Sequence, residues 1–84
     1  MKPSKQSHRP KNIIGPRVKL ARTEQELSRK DLLCRLDDYN IKTSISSIAR
    51  LERQQRRVID KEVYVLSEVL NVSMDWLLGI TEEK

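Results

Sequence analysis

The stretch Ser44-Ile45-Ser46-Ser47-Ile48-Ala49-Arg50-Leu51-Glu52-Arg53 reads as one helix with two unlike faces. Ile48 and Leu51, three apart, ask for a core. Ser46, Ala49, Arg50 and Arg53, spaced i, i+3, i+4 and i+7, form the opposite stripe, which is small, hydroxylated and cationic. That stripe has two readings. It is an ordinary solvated face, or it is a surface suited to a DNA groove, where small side chains permit close approach and an arginine can pair bidentately with guanine.

With 84 residues the chain is long enough for one small domain and too short for two. Three aromatics and no Phe leave an aliphatic, leucine-rich core, which favours packed helices over a sheet. Cys34 is the only cysteine, so neither an intramolecular disulfide nor a cysteine-built zinc site can form, and a reducing cytoplasm is the expected location. The longest mainly apolar run, residues 63–72, is interrupted by Ser67, Glu68 and Asn71 and falls far short of a membrane span. No apolar segment follows the basic N-terminus, so it does not read as a secretory signal. Charge is unevenly distributed: residues 1–57 hold fifteen Lys and Arg against six Asp and Glu, whereas residues 58–84 hold two against six. Such polarity points to a polyanionic partner, a nucleic acid or an acidic membrane surface.

Residues 1–12 carry Lys2, Lys5, Arg9 and Lys11, no acid, and no apolar residue after Met1. They are expected to form a disordered basic arm, either inert or lying along phosphates. His8 sits there alone, without a partner for ligation or catalysis. Pro16 tolerates only a first turn, so helix one is expected over about residues 15–23, with Val18 and Ala21 inward. Ser28 and Asp31 have capping-box spacing, and Leu27 with Leu32 has staple spacing, ahead of a Leu32, Leu33 and Leu36 stripe. Arg29 and Lys30 in that first turn oppose the helix dipole by about a few tenths of a kcal/mol. Local stability does not explain them; a phosphate held at that N-terminus would, and two solvated charges are the plain alternative.

Residues 37–43 read as a turn, with Asn40 suited to a left-handed conformation and Ile41 pinning the turn to the core. Ser44 or Thr43 then caps helix three, and residues 54–57 read as a basic loop. Asp60 is expected to cap helix four, with Ile59 and Tyr64 at staple spacing, Val63, Leu66 and Leu70 inward, and Asn71 as its left-handed stop. Ser73 caps a short helix five that Gly79 ends. Cys34 is expected to be a small core or boundary residue.

Taken together, Ile14-Gly15-x-Arg17-Val18-x-x-x-Arg22, Leu27-Ser28-x-x-x-Leu32, Ser47-Ile48-Ala49-Arg50-Leu51-Glu52-Arg53 and Leu66-x-x-Val69-Leu70-Asn71-Val72-Ser73-x-Asp75-Trp76-Leu77-Leu78-Gly79 resemble the Cro/C1-type helix-turn-helix family of phage repressors and small bacterial regulators. The resemblance covers about residues 13–79. It implies an all-α fold, a compact five-helix lambda-repressor-like DNA-binding domain over residues 13–80, with residues 81–84 as a C-terminal tail. Helices two and three would be the DNA-binding helix-turn-helix. By the same resemblance Arg29, Ile45, Ser46 and Arg50 fall at base-contacting positions, Arg29 standing where relatives often carry glutamine. Ser28, Ser44, Ser47, Arg53, Arg56 and Arg57 fall where phosphate contacts are common, and Lys30 joins them through the first-turn argument above. Arg22 and Glu52 match a structural ion pair that joins helix one to the end of helix three. Two features depart from the pattern. The turn at residues 37–43 is longer than the usual short, often glycine-containing one, and Gln54, a poor left-handed residue, replaces the glycine that commonly follows the Glu-Arg dipeptide.

The expectation is therefore a sequence-specific double-stranded-DNA-binding transcriptional regulator, a repressor acting as a homodimer on a palindromic operator. Arg50 would face guanine, Ile45 a thymine methyl, and Ser46 would donate or accept, while the basic residues and the arm supply salt-dependent affinity. Tyr64, Val65, Trp76 and Ile80 are a candidate dimer interface, the alternative being that Trp76 completes the core. The rival reading is a protein-interaction module on the same fold, antitoxin-like or anti-repressor, favoured by Asp37, Asp38, the long turn and Gln54. An enzyme is not expected, nor a cofactor or metal: there is no glycine-rich phosphate loop and no metal-spaced cluster.

Overall fold

In the computed structural model, which describes residues 9–84, α1 spans Gly15–Glu24, α2 Arg29–Asp38, α3 Ile45–Glu52, α4 Asp60–Leu70 and α5 Met74–Leu77. Lys2 and Lys5 of the expected arm, and His8, lie outside the described residues. Serine opens three of the helices. The Ser28, Ser44 and Ser73 hydroxyls accept from the backbone N–H groups of Asp31, Ser47 and Trp76, each satisfying a donor that the first turn leaves free. At α2 the box is complete, because the Ser28 N–H also donates to Asp31 Oδ2 at 2.8 Å.

All five described helices close alike. Glu26, Asn40, Gln54, Asn71 and Gly79 have positive φ, between 57° and 80°, and the N–H of the next residue reaches back to a last-turn carbonyl. Leu27 donates to Arg22, Ile41 to Leu36, Gln55 to Arg50, Val72 to Ser67 and Ile80 to Asp75. This is the Schellman closure, and it turns the chain sharply enough for short connections. Gly79 alone adopts it without steric cost.

The inward stripes then meet. Ile14, Val18 and Ala21 of the α1 region, Leu32 and Leu36 of α2, Ile48 and Leu51 of α3, Val63, Leu66 and Leu70 of α4, and Trp76 and Leu77 of α5 form one core. Each fully buried Leu or Ile contributes roughly 1.5–3 kcal/mol through removal from water. α1 packs on α3, α4 and α5, whereas α2 packs on α3 and α4. The product is a compact all-α globule with no strand among the described residues, and none of its helices is long and apolar enough to cross a membrane.

Five expectations need correction. α4 begins one residue early: Ile59 is the N-cap, without a side-chain bond, and Asp60 is the first helical residue. Ile59 and Tyr64 are consequently exposed, and the staple spacing passes to Val58 and Val63, which pack on the core. α2 continues through Asp37 and Asp38, so the link to α3 is only residues 39–44, pinned by half-buried Ile41. Cys34 is exposed, because two residues beyond Leu32 is the far side of a helix. Val65 and Trp76 are buried within the single chain, leaving Tyr64 and Ile80 exposed. The Trp76 ring is capped by the Arg17 guanidinium at 4.9 Å and the Lys84 ammonium at 5.4 Å, both at cation–π range. Finally, the ordered contacts run past both expected boundaries. Lys11 N–H donates to the Gln54 carbonyl, and the Lys84 carbonyl accepts from Ser73 N–H.

Candidate nucleic-acid interface

α3 turns Ile48 and Leu51 into the core, and that choice decides what faces out. Ile45, Ser46, Arg50 and Arg53 are exposed, with Ala49 half-buried between them. Ser44 Oγ, already capping Ser47 N–H, lies 3.3 Å from Ser46 Oγ, so the two hydroxyls share the helix start. Ser47 is half-buried. Lys30, Arg50, Arg53 and Arg57 are exposed and form no ion pair among the described residues. Nearby, Asp37 pairs with Lys42 at 2.6 Å, which offsets one of the two carboxylates at the end of α2. Asp38 stays exposed. In the α2 cap, the Ser28 N–H and hydroxyl hold the Asp31 carboxyl below its ordinary range.

The last turn of α3 is a junction. Glu52, with 1% of its side chain exposed, accepts from Arg22 Nε at 2.6 Å and Arg22 Nη2 at 3.1 Å, and also from Arg29 Nε at 3.1 Å. Arg22 and Glu52 are thus the paired residues that the sequence suggested, and Arg29, expected at a base, is their third member. Arg56, expected at a phosphate, is turned inward instead. Its Nε donates to the Ser47 carbonyl at 3.0 Å, its Nη1 to the Arg57 carbonyl and to Glu62, and its Nη2 to Glu62 at 2.7 Å. Glu62, in the first turn of α4, is the carboxylate that meets it.

Two further holds escaped the sequence reading. Asn12 Nδ2 donates to the Leu51 and Arg56 carbonyls while its Oδ1 accepts from Gly15 N–H, and Gln54 Nε2 donates to the Asn12 carbonyl. Gly15 lies so close to the end of α3 that a Cβ there would fall 2.4 Å from the Leu51 carbonyl oxygen. Gln54 takes the left-handed conformation despite its side chain, at φ 63°. These contacts fix the position of α3 relative to α1. The second hold is Arg17, which bonds the Trp76 and Thr81 carbonyls and Glu82, fastening the last residues over α5. No local sequence signal marks either one, since each joins segments about forty to sixty residues apart. Comparison with protein-family models, with curated proteins and with solved structures found no match to this chain. Among the described residues no cluster of His, Cys, Asp or Glu is suited to a metal ion.

Proposed function

We propose that the protein is a sequence-specific duplex-DNA-binding transcriptional regulator of the Cro/C1 helix-turn-helix type, with α2 and α3 as the DNA-binding pair. The carrying observation is how its arginines are divided. Arg17, Arg22, Arg29, Arg35 and Arg56 each donate to a carboxylate or carbonyl of the fold. Arg50, Arg53 and Arg57 remain exposed, on and just after the helix that also exposes Ile45 and Ser46. An unpaired basic stripe on a small-residue helix face suits the acceptor-rich major groove and its flanking phosphates. Arg50 would read guanine, Ile45 a thymine methyl and Ser46 either a donor or an acceptor. Ser28, Lys30, Ser44, Ser47, Arg53 and Arg57 would contact phosphates, with the basic arm adding salt-dependent affinity. Repression as a homodimer on a two-fold operator is the simplest output, with exposed Tyr64 and Ile80 as the remaining candidate contacts between copies.

Selection of bound sequences from a random duplex pool tests this reading. A palindromic consensus is expected, bound with affinity that falls steeply as salt rises. Absence of enrichment would favour the protein-interaction module instead.

A further inference from the structure

Glu52 holds two arginines, and only one of them is fully occupied. Arg22 donates through Nε and Nη2 to the carboxylate and through Nη1 to the Leu27 carbonyl at 2.7 Å, so each of its nitrogens has an acceptor. Arg29 reaches Glu52 through Nε alone. Its Nη1 and Nη2 have no acceptor among the described residues, and 32% of its side chain is exposed against 9% for Arg22. Two guanidinium groups on one carboxylate also leave one positive charge uncompensated at this edge of the molecule.

We propose that Glu52 is a positioning residue for DNA recognition: by binding Arg29 Nε it presents Nη1 and Nη2 as a fixed fork to the O6 and N7 acceptors of a guanine, a role that rests on the DNA-binding reading above. End-on pairing with guanine uses only the two terminal nitrogens, so the bond from Nε does not compete with it. A free arginine loses rotamer freedom when it binds, whereas one already fixed by a buried carboxylate has lost that freedom on folding. Arg22 fixes Glu52 in turn. The chain of support therefore runs from α1 through the end of α3 to the first residue of α2, and the fold and the base contact share one carboxylate.

Lysine at position 29 keeps the charge but has neither Nε nor the fork, and so separates positioning from charge. The test compares the full wild-type chain with Arg29→Lys, Arg29→Met and Glu52→Gln, each held well below its melting temperature. Binding is measured to a duplex selected from a random pool and to a random-sequence duplex of equal length. Arg29→Lys is expected to lose about tenfold on the selected duplex, with relaxed preference at one guanine and unchanged binding to random DNA. Glu52→Gln should reproduce that pattern; if it does not fold, Glu52→Asp, which keeps the charge but withdraws the carboxylate from Arg29 Nε, is read in its place. Wild-type affinity and selectivity in Arg29→Lys would overturn the positioning role. So would an Arg29→Met variant whose only change is a lower melting temperature, since Arg29 would then serve the fold alone. If the wild type itself selects no duplex, the DNA-binding reading falls and this role with it, an outcome distinct from a wild type that binds and variants that match it.

Discussion

Two arginine–carboxylate clusters flank the end of α3, and they use their cations differently. Toward α1 and α2, one deeply buried carboxylate, Glu52, serves two arginines, and the terminal nitrogens of the second, one-third-exposed arginine have no acceptor among the described residues. Toward α4, Arg56 and Glu62 pair one to one, and every nitrogen of Arg56 has an acceptor. The difference teaches that membership of a basic run says little about a cation's availability. Arg56 stands between exposed neighbours in a basic loop, yet it is closed, because a carboxylate and two carbonyls lie within its reach. Arg53 and Arg57 are open because, among the described residues, no such group meets their side chains.

The strongest way to break the comparison is Glu52→Ala, which leaves Arg22 buried without its counter-ion. A loss of about 3–5 kcal/mol in urea unfolding is expected, whereas a loss as small as that of an exposed pair would erase the distinction in burial. Arg56→Ala should cost less, about 2 kcal/mol, because Glu62 keeps 11% of its side chain in solvent and can partly rehydrate. Its effect on DNA affinity, measured on folded protein, should be slight. Arg53→Ala and Arg57→Ala are expected to do the opposite, leaving stability nearly unchanged, weakening binding to any duplex and each lowering the salt slope by about one.

Much of the helix framework was legible because it rests on local chemistry. Ser28 with Asp31, Ser44 before Ile45, and Ser73 before Met74 each cap within a single turn, and Asn40, Asn71 and Gly79 are residues that accept the left-handed stop. Glu26 and Gln54 carry no such mark; they are left-handed because the residues after them close the helix, Leu27 by packing on the core and Gln55 by its bond to the Arg50 carbonyl. The Arg22–Glu52 pair spans thirty residues and was reached only through a family resemblance. Arg56 and Glu62 each had a sufficient local reading, a loop cation and a first-turn acid, which concealed the pair they make. Trp76 was ambiguous for a similar reason: burial under Arg17 and Lys84 depends on partners at both ends of the chain.

Smaller effects sharpen the account. Glu26→Gly removes a side chain that forms no ion pair among the described residues from a left-handed position, and is expected to stabilise by about 0.5–1 kcal/mol once the greater freedom of the unfolded chain is counted. Asp31, the exposed counterpart of the two buried carboxylates, provides the pH dependence. Its folded-state value lies below the ordinary 3.8, so the contribution of the α2 cap is complete above that value and fades as pH falls through the lowered one. A lower protection factor for the Ser28 amide in acid, taken relative to the intrinsic exchange rate at each pH and with α4 still protected, would display it.

The most direct test of the central claim is the affinity of Arg50→Ala for the selected duplex beside its affinity for random DNA. The Arg50 side chain is exposed and forms no ion pair among the described residues that would confuse the result. A loss of about 1–3 kcal/mol on the selected duplex, with random-DNA binding nearly unchanged, is the predicted outcome. Equal losses on both duplexes, or none on either, would contradict the assignment of the α3 face to base reading.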